Sequence, residues 1–116
     1  MKKHLALLLS SLFLISCGSD FRVKGTISSN VIDGEYVYIK RVENGVEFVI
    51  DSCKVTHSEF EMCGVADSAY VVSLYIGNVP ILPFVAEKGK IELQITDNAV
   101  MVGGTPLNDE LNALIR

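Results

Sequence analysis

Short segments in which apolar and polar residues alternate follow one another through most of this chain, and they limit the folds open to it. Residues 21–27 show the alternation clearly, with the period of a strand that buries one face. Asn44-Gly45 separates two segments rich in β-branched and aromatic residues. It predicts a two-residue hairpin turn, because both positions of a type I′ turn need positive φ. The pattern therefore predicts a mainly β protein, an antiparallel β-sandwich or an open barrel.

The other strands are predicted from the same signals. We expect them at residues 35–41, 46–50, 52–56, 59–63, 69–76, 81–86, 91–95 and 99–102. The segment 69–76 is nearly continuous in apolar residues and is predicted to be the most buried. Pro80 and Pro83 each remove a ladder donor, so the strand at 81–86 should lie at a sheet edge or be irregular at its start.

The chain changes character near its C-terminal end. Thr105 can cap a helix and Pro106 suits its first position. One apolar stripe at helical spacing follows, formed by Leu107, Leu111, Leu114 and Ile115. A helix of about ten residues is too short to be stable alone. We therefore expect it either to dock on the sheet or to begin a longer element.

The first sixteen residues have the parts of an export signal. Lys2 and Lys3 precede an apolar run that ends in Leu14-Ile15-Ser16-Cys17, which resembles a bacterial lipobox. Spanning a bilayer takes roughly 20 apolar residues, so this run is too short. The alternative is an ordinary cleaved signal in which Cys17 is incidental. We predict a signal peptide at 1–16, a tether at 17–20 with palmitate-type acylation of Cys17, a β domain at 21–104, and the helix at 105–116.

These signals place the protein in the cell envelope, attached by lipid to the outer or the inner membrane and facing the periplasm or the cell surface. The formal net charge of the whole chain is −4. Cleavage after residue 16 removes Lys2 and Lys3 and no acidic residue, which moves the charge to −6. Nucleic-acid binding depends on cations that replace counterions, so no nucleic-acid partner is expected.

Cys53 and Cys63 remain after Cys17 is assigned to lipid. In an oxidising compartment such a pair suggests a disulfide. A two-residue loop at His57-Ser58 would place Cys53 opposite Met62 and turn it away from Cys63, whereas a three-residue loop would reverse this. We predict two free thiols, no disulfide and no redox role, because the chain lacks a Cys-x-x-Cys motif.

No other residues point to catalysis. His57, with Cys53 and Cys63, supplies three metal ligands at most, so no metal site is predicted. Gly103-Gly104 lacks the Lys-Ser/Thr ending of a phosphate loop. Other polar and aromatic candidates are Glu59, Glu61, Glu87 and Glu92, together with Tyr36, Tyr38, Tyr70 and Tyr75. The glutamates sit where a solvated face would put them, and strand tyrosines pack more often than they line a groove. No catalytic residue and no cofactor are expected.

Ordered motifs along the chain resemble those of one known family. They are Phe21-x-Val23-x-Gly25-x-Ile27, Tyr36-Val37-Tyr38-Ile39, Asp51-Ser52, Phe60-x-Met62-x-Gly64, Pro83-Phe84-x-x-Glu87-x-Gly89 and Gly104-Thr105-Pro106-Leu107-Asn108. Their order resembles the domain of unknown function catalogued as 4369. The resemblance covers nearly all of the chain that follows the signal segment.

The resemblance implies an exported lipoprotein of Gram-negative bacteria, in which this domain often precedes a helical linker and a thioredoxin-like domain of the peroxiredoxin or disulfide-reductase type. The sequence ends at Arg116 without a Cys-x-x-Cys motif, so the redox activity is assigned to no residue here. His57-Ser58 stands where the family often has Asp-Gly or Asn-Gly. We expect a non-catalytic, membrane-tethered accessory or docking domain that associates with thioredoxin-like redox proteins. The alternative is a free-standing lipoprotein that binds a small ligand or an envelope component.

Overall fold

The computed structural model describes residues 20–28 and 32–114. In these residues the elements are β1 (Phe21–Ile27), β2 (Tyr36–Glu43), β3 (Val46–Lys54), β4 (Glu59–Gly64), β5 (Tyr70–Ile76), β6 (Val79–Ala86), β7 (Gly89–Ile95), β8 (Val100–Gly103) and α1 (Pro106–Leu114). The predicted signal segment and Cys17 lie outside the described residues. The helix that is described is not long or apolar enough to cross a membrane.

The strands form two four-stranded sheets that pack as a sandwich, with strand order β4-β1-β7-β8 in sheet A and β3-β2-β5-β6 in sheet B. Neighbouring strands are antiparallel, except that β1 and β7 run parallel. The predicted β-sandwich is confirmed, with this parallel pair as a departure from the antiparallel expectation. The alternation in β1 works as predicted: its apolar positions are buried between the sheets, and Lys24 and Thr26 are exposed.

Two phenylalanines and two glycines fix the register of β1 against β4. Phe21 lies opposite Gly64 and Phe60 lies opposite Gly25, so each ring covers a glycine across the ladder. A Cβ on Gly64 would stand 2.5 Å from the Phe21 ring, and one on Gly25 would overlap the Phe60 ring. Because side chains alternate faces, all four residues share the buried face. A register slip would place each ring against a side chain instead.

A two-residue turn at His57-Ser58 connects β3 in sheet B to β4 in sheet A. Thr56 and Glu59 exchange two backbone hydrogen bonds of 3.0 Å around it, as the predicted two-residue loop requires. His57 and Ser58 have φ of 54° and 64°, which is the backbone of a type I′ turn. The Asn44-Gly45 turn between β2 and β3 has the same signature, with φ of 53° and 80°. Both hairpin predictions are confirmed.

The prediction of separate strands at 46–50 and 52–56 is wrong, because β3 runs unbroken from Val46 to Lys54. The pairing of β2 with β3 shifts between Ile39 and Lys40 and leaves Ile50 without a partner in the ladder, so the break predicted at Asp51 corresponds to a bulge within one strand. The Asp51 carboxylate accepts hydrogen bonds from the backbone N–H of Ser52 (2.8 Å) and of Cys63 (2.9 Å). It therefore ties the bulge to β4.

Strand β5 is not the most buried strand, contrary to prediction. It is central in sheet B, but its outward side chains face solvent, and Val71 is 66% exposed. A sandwich sheet buries only its inner face, so a continuous apolar run does not mean burial on both sides. The prediction for the proline-containing strand is confirmed. Strand β6 is an edge strand of sheet B, with a register irregularity at the level of Pro80.

Candidate functional site

The structure gives different answers for the two cysteines that it describes. Cys53 is a free cysteine, so no bond joins it to Cys63. Cys63 is disulfide-bonded, and Cys53 is not its partner. The prediction of a free thiol is confirmed for Cys53 and wrong for Cys63. Burial raises the pKa of the Cys53 thiol, a backbone hydrogen bond at Glu61 opposes the rise, and the carboxylates of Asp51 and Glu61 add to it. Cys53 therefore lacks the lowered pKa of a reactive thiol.

The predicted polar candidates are dispersed over the surface. His57 occupies the positive-φ turn between β3 and β4. Glu59, Glu61 and Glu92 project from the outer face of sheet A, where Arg22 lies 4.0 Å from Glu61. In residues 20–28 and 32–114, no three His, Cys, Asp or Glu side chains are placed to hold a metal ion together.

Three of the four tyrosines lie on the outer face of sheet B. Tyr38 and Tyr75 are directly opposite each other on β2 and β5, and the Lys40 ammonium lies 4.4 Å from the centre of the Tyr75 ring and 5.6 Å from that of Tyr38. Lys54 lies 5.9 Å from the Tyr36 ring. We call these five residues the tyrosine face. Lys40 is only 13% exposed in its side chain, so cation–π contacts hold it between the rings.

Tyr70 does not belong to the tyrosine face. It follows the inward-pointing alternation of β5, at the end of the sandwich. Its hydroxyl donates to the Val65 carbonyl at 2.9 Å, and the Arg41 guanidinium lies 4.6 Å from its ring. Burial raises the pKa of Tyr70, and the charge of Arg41 partly opposes this.

The turn between β2 and β3 ends in an exposed apolar hairpin. Strand β2 pairs with β5 only as far as Lys40 and Ser73. Beyond that point, β2 and β3 pair only with each other, and we call residues 42–49 the hairpin tip. Four of its side chains are 47–59% exposed, namely Val42, Val46, Phe48 and Val49. Lys40 pairs with Glu47 at 3.3 Å and Arg41 pairs with Glu43, so the glutamates of the tip are balanced by cations.

Helix α1 closes the side of the sandwich that is formed by the edge strands β6 and β8, and it does so through polar contacts. Its buried residue is Asn108. The Asn108 amide accepts from the Val85 N–H at 2.8 Å and donates to the Val85 carbonyl at 2.8 Å, as a neighbouring strand would. It also donates to the Thr105 hydroxyl at 2.8 Å. One turn later, the Asn112 side chain accepts from the Val102 N–H at 3.1 Å. The helix therefore bonds to the free edges of both sheets.

Two further residues complete this attachment. The Glu87 carboxylate accepts from the backbone N–H of Leu107 at 2.8 Å and of Asn108 at 3.3 Å, which satisfies donors at the helix start. Gly104 has φ of 96°, and a Cβ there would overlap the Lys90 carbonyl. We call Glu87, Gly104, Thr105, Asn108 and Asn112 the helix latch. Sequence reasoning missed its role, although Glu87, Gly104, Thr105 and Asn108 lie within the quoted family motifs.

The predicted leucine stripe of the helix is only partly buried. Leu111 packs against the core, whereas Leu107 and Leu114 are 41% and 82% exposed; Ile115 lies outside the described residues. The helix does dock on the sheets, as one of the two expectations had it. It docks mainly through the latch, because the side-chain amides reach backbone groups of the edge strands that leucine cannot satisfy.

Comparison with known proteins agrees with the motif order. No curated protein matches this chain. A family model described as a domain of unknown function, DUF4369, matches residues 21–111. The matched region begins with β1 and extends into α1, so it includes both sheets and most of the helix latch. The chain is therefore a member of the DUF4369 family.

Proposed function

We propose that this chain is a membrane-tethered, non-catalytic accessory domain of a cell-envelope lipoprotein, and that it docks a thioredoxin-like redox domain or protein. Acylated Cys17 attaches it to the outer or the inner membrane, on the side that faces the periplasm or the cell surface. The lipobox-like Leu14-Ile15-Ser16-Cys17 supports the anchor. The described domain begins at Asp20, only three residues later, which keeps the domain at the membrane.

The observation that carries the docking proposal is the exposed side of α1. The helix latch fixes the helix through Asn108, Asn112 and Glu87, which leaves Leu107 and Leu114 outside. A short helix held in place by polar contacts presents these leucines in a fixed geometry. Exposed apolar side chains on a rigid element are typical of interaction surfaces. Leu107 and Leu114 therefore form the proposed contact with the redox partner.

The test is chemical crosslinking in intact cells, followed by purification of the tagged lipoprotein and mass spectrometry. A separate protein with a thioredoxin-like Cys-x-x-Cys motif should be crosslinked to the wild type and lost in Leu114→Asp. If that motif lies on a continuation of the same chain, its crosslinks to α1 should be lost instead. Met101→Asp on sheet A is the matched control, since Met101 is also an exposed apolar residue. Equal recovery of that partner from both variants, or no thioredoxin-like partner from the wild type, would contradict the docking proposal.

The tyrosine face favours a second candidate, a free-standing lipoprotein that binds a small ligand or an envelope component. Tyr36 is about half exposed beside Lys54, and aromatic rings next to a cation suit ligands with an apolar ring or an anionic group. Candidate envelope components can be screened by titration against Tyr36→Ala, with Val79→Ala as the control. Unchanged binding after Tyr36→Ala would remove this candidate.

A further inference from the structure

The end of the sandwich at which β1 begins is also the end from which the hairpin tip projects. Phe21 pairs with Gly64 of β4, and a Cβ on Gly64 would stand 3.0 Å from the side chain of Ile50 on β3. Ile50 is thus level with the first residue of β1. Residues 46–49 precede Ile50 on the same strand and therefore lie beyond the first residue of β1.

The hairpin tip and the tether that precedes Phe21 have similar lengths. Four strand residues from Ile50 to Val46 carry the tip about 13 Å beyond the level of Phe21, at roughly 3.3 Å each. The four residues from Phe21 to Cys17 span at most about 14 Å when fully extended. Asp20 is fixed at this end, because its carboxylate accepts from the Ala66 N–H at 2.9 Å and its carbonyl accepts from the Gly89 N–H at 3.1 Å. A lipid on Cys17 therefore holds this end of the sandwich no farther from the membrane than about the reach of the tip.

The side chains at this end suit the interface of a bilayer. Val42, Val46, Phe48 and Val49 of the tip are exposed, and so is Val65 beside Gly64. The cations at the base of the tip are paired with Glu43 and Glu47, and the mature chain has a net charge of −6. Attraction to anionic headgroups cannot drive such a contact. Burial of apolar side chains can, since interfacial elements insert their apolar faces roughly 5–10 Å deep.

We propose that the hairpin tip inserts into the lipid interface of the membrane that holds acylated Cys17. The tip then acts as a second contact that fixes the orientation of the sandwich, with α1 and the tyrosine face in defined positions relative to the bilayer. The bilayer is the proposed occupant because the predicted anchor leaves the domain at the same end as the exposed valines and Phe48. This inference depends on the lipid anchor of the proposed function and adds a second membrane contact to it.

The chain has no tryptophan, so a single introduced tryptophan reports unambiguously on its site. The experiment uses the full mature lipoprotein with Phe48→Trp, reconstituted in neutral phosphatidylcholine vesicles that contain nitroxide-labelled lipid. Val79→Trp is the matched control, because Val79 is 60% exposed at the other end of β5, where β6 begins. Acylation of Cys17 is verified on the same preparations with a fatty-acid analogue.

We expect nitroxide lipid to reduce the tryptophan emission of Phe48→Trp by roughly half, as for a side chain at interfacial depth, and to leave that of Val79→Trp unchanged. Lipid-labelled Phe48→Trp protein whose emission is not quenched would overturn the insertion and leave the anchor intact. Emission from Phe48→Trp that is shielded from aqueous iodide but not quenched by nitroxide lipid would show a second copy covering the tip, and would also overturn it. Protein without the fatty-acid label would overturn both the anchor and this inference.

Discussion

The two open sides of the sandwich are closed in different ways. On one side, the backbone itself crosses from β3 in sheet B to β4 in sheet A through the His57-Ser58 turn. On the other side, β6 and β8 end their sheets without sharing a strand, and α1 joins them through Asn108 and Asn112. The first closure is a backbone turn between the two edge strands, and the second is a set of side-chain hydrogen bonds from a helix to two edge strands that no turn connects.

This difference determines how each side responds to substitution. The hairpin can absorb changes in its turn, because the chain connection remains. The helix latch cannot, since the Asn108 amide satisfies both backbone groups of Val85, and a buried backbone group that loses its partner costs about 1–3 kcal/mol. The latch side is therefore expected to open first when the domain is destabilised.

The largest effect is predicted for Asn108→Leu. Leucine is close to asparagine in size, but it leaves the N–H and carbonyl of Val85 unpaired, so the free energy of unfolding should fall by about 2–4 kcal/mol. Urea unfolding of the domain measures it. The matched control is Asn112→Leu, which removes one bond, to the Val102 N–H, whereas Asn108→Leu removes both bonds to Val85, so Asn112→Leu should cost less. Equal costs for the two variants would show that the latch does not depend on Asn108.

Gly104→Ala should destabilise the latch by about 2–3 kcal/mol, because it combines a strained positive φ with a clash. Gly34→Ala separates the two causes: Gly34 has φ of 93° but no atom within 4 Å of the added Cβ. Thermal unfolding of both variants should show the larger loss for Gly104→Ala. If Gly34→Ala loses as much, backbone strain alone accounts for the effect and the close approach of Gly104 to β7 contributes nothing.

Substitutions in the His57-Ser58 turn should raise the stability of the domain. His57→Asn with Ser58→Gly places the preferred residues of a type I′ turn at the two positive-φ positions. The unfolding free energy should rise by about 1 kcal/mol, since a non-glycine residue in this region costs roughly 1–2 kcal/mol. Denaturant midpoints compare the double variant with the wild type. A lower midpoint would mean that the Ser58 or His57 side chain stabilises the turn between β3 and β4.

The smallest effect concerns the reactivity of Cys53, beside the hairpin. Burial raises the pKa of its thiol, so less thiolate is present at pH 8 than in an unperturbed cysteine, and alkylation should be slower. The rate should increase as the pH rises beyond the ordinary range of thiols, and it should increase in urea, which removes the burial. Peptide mapping after timed alkylation measures it. Folded Cys53 that reacts as fast as unfolded Cys53 would contradict the prediction.

Most strands and the turn between β3 and β4 could be predicted from the sequence, because alternation and turn chemistry depend on residues that are neighbours in the chain. The two-residue loop at His57-Ser58 followed from the flanking apolar positions, even though neither residue is the usual choice for its φ. The register of β1 against β4 was also available in principle. Phe21 and Gly25 run antiparallel to Phe60 and Gly64, and both strands carry the same Phe-x-x-x-Gly spacing.

The helix latch was not predictable in the same way. Amphipathic periodicity selected Leu107 and Leu114 as the buried stripe, yet the buried residue is polar Asn108. Its burial depends on the unpaired backbone of the β6 edge, which lies 23 residues away in sequence, and no local pattern reports such a partner. For the same reason the sequence predicts two strands where β3 is one strand with a bulge, since a bulge is defined only against its neighbour strand.

The central claim is that Cys17 carries lipid and holds this domain at a membrane. The most direct measurement is mass spectrometry of the N-terminal peptide of the mature protein, isolated without reductant from cells grown with a fatty-acid analogue. The account predicts a peptide that begins at acylated Cys17, present in the wild type and in Cys53→Ser and absent in Cys17→Ser. A thioether-linked sulfur cannot also form a disulfide. Since Cys63 is disulfide-bonded and Cys53 is free, and the sequence has three cysteines, the account also requires that Cys63 be bonded to a cysteine of another chain. A peptide in which Cys17 is disulfide-linked to Cys63, or equal labelling of Cys17→Ser, would contradict it.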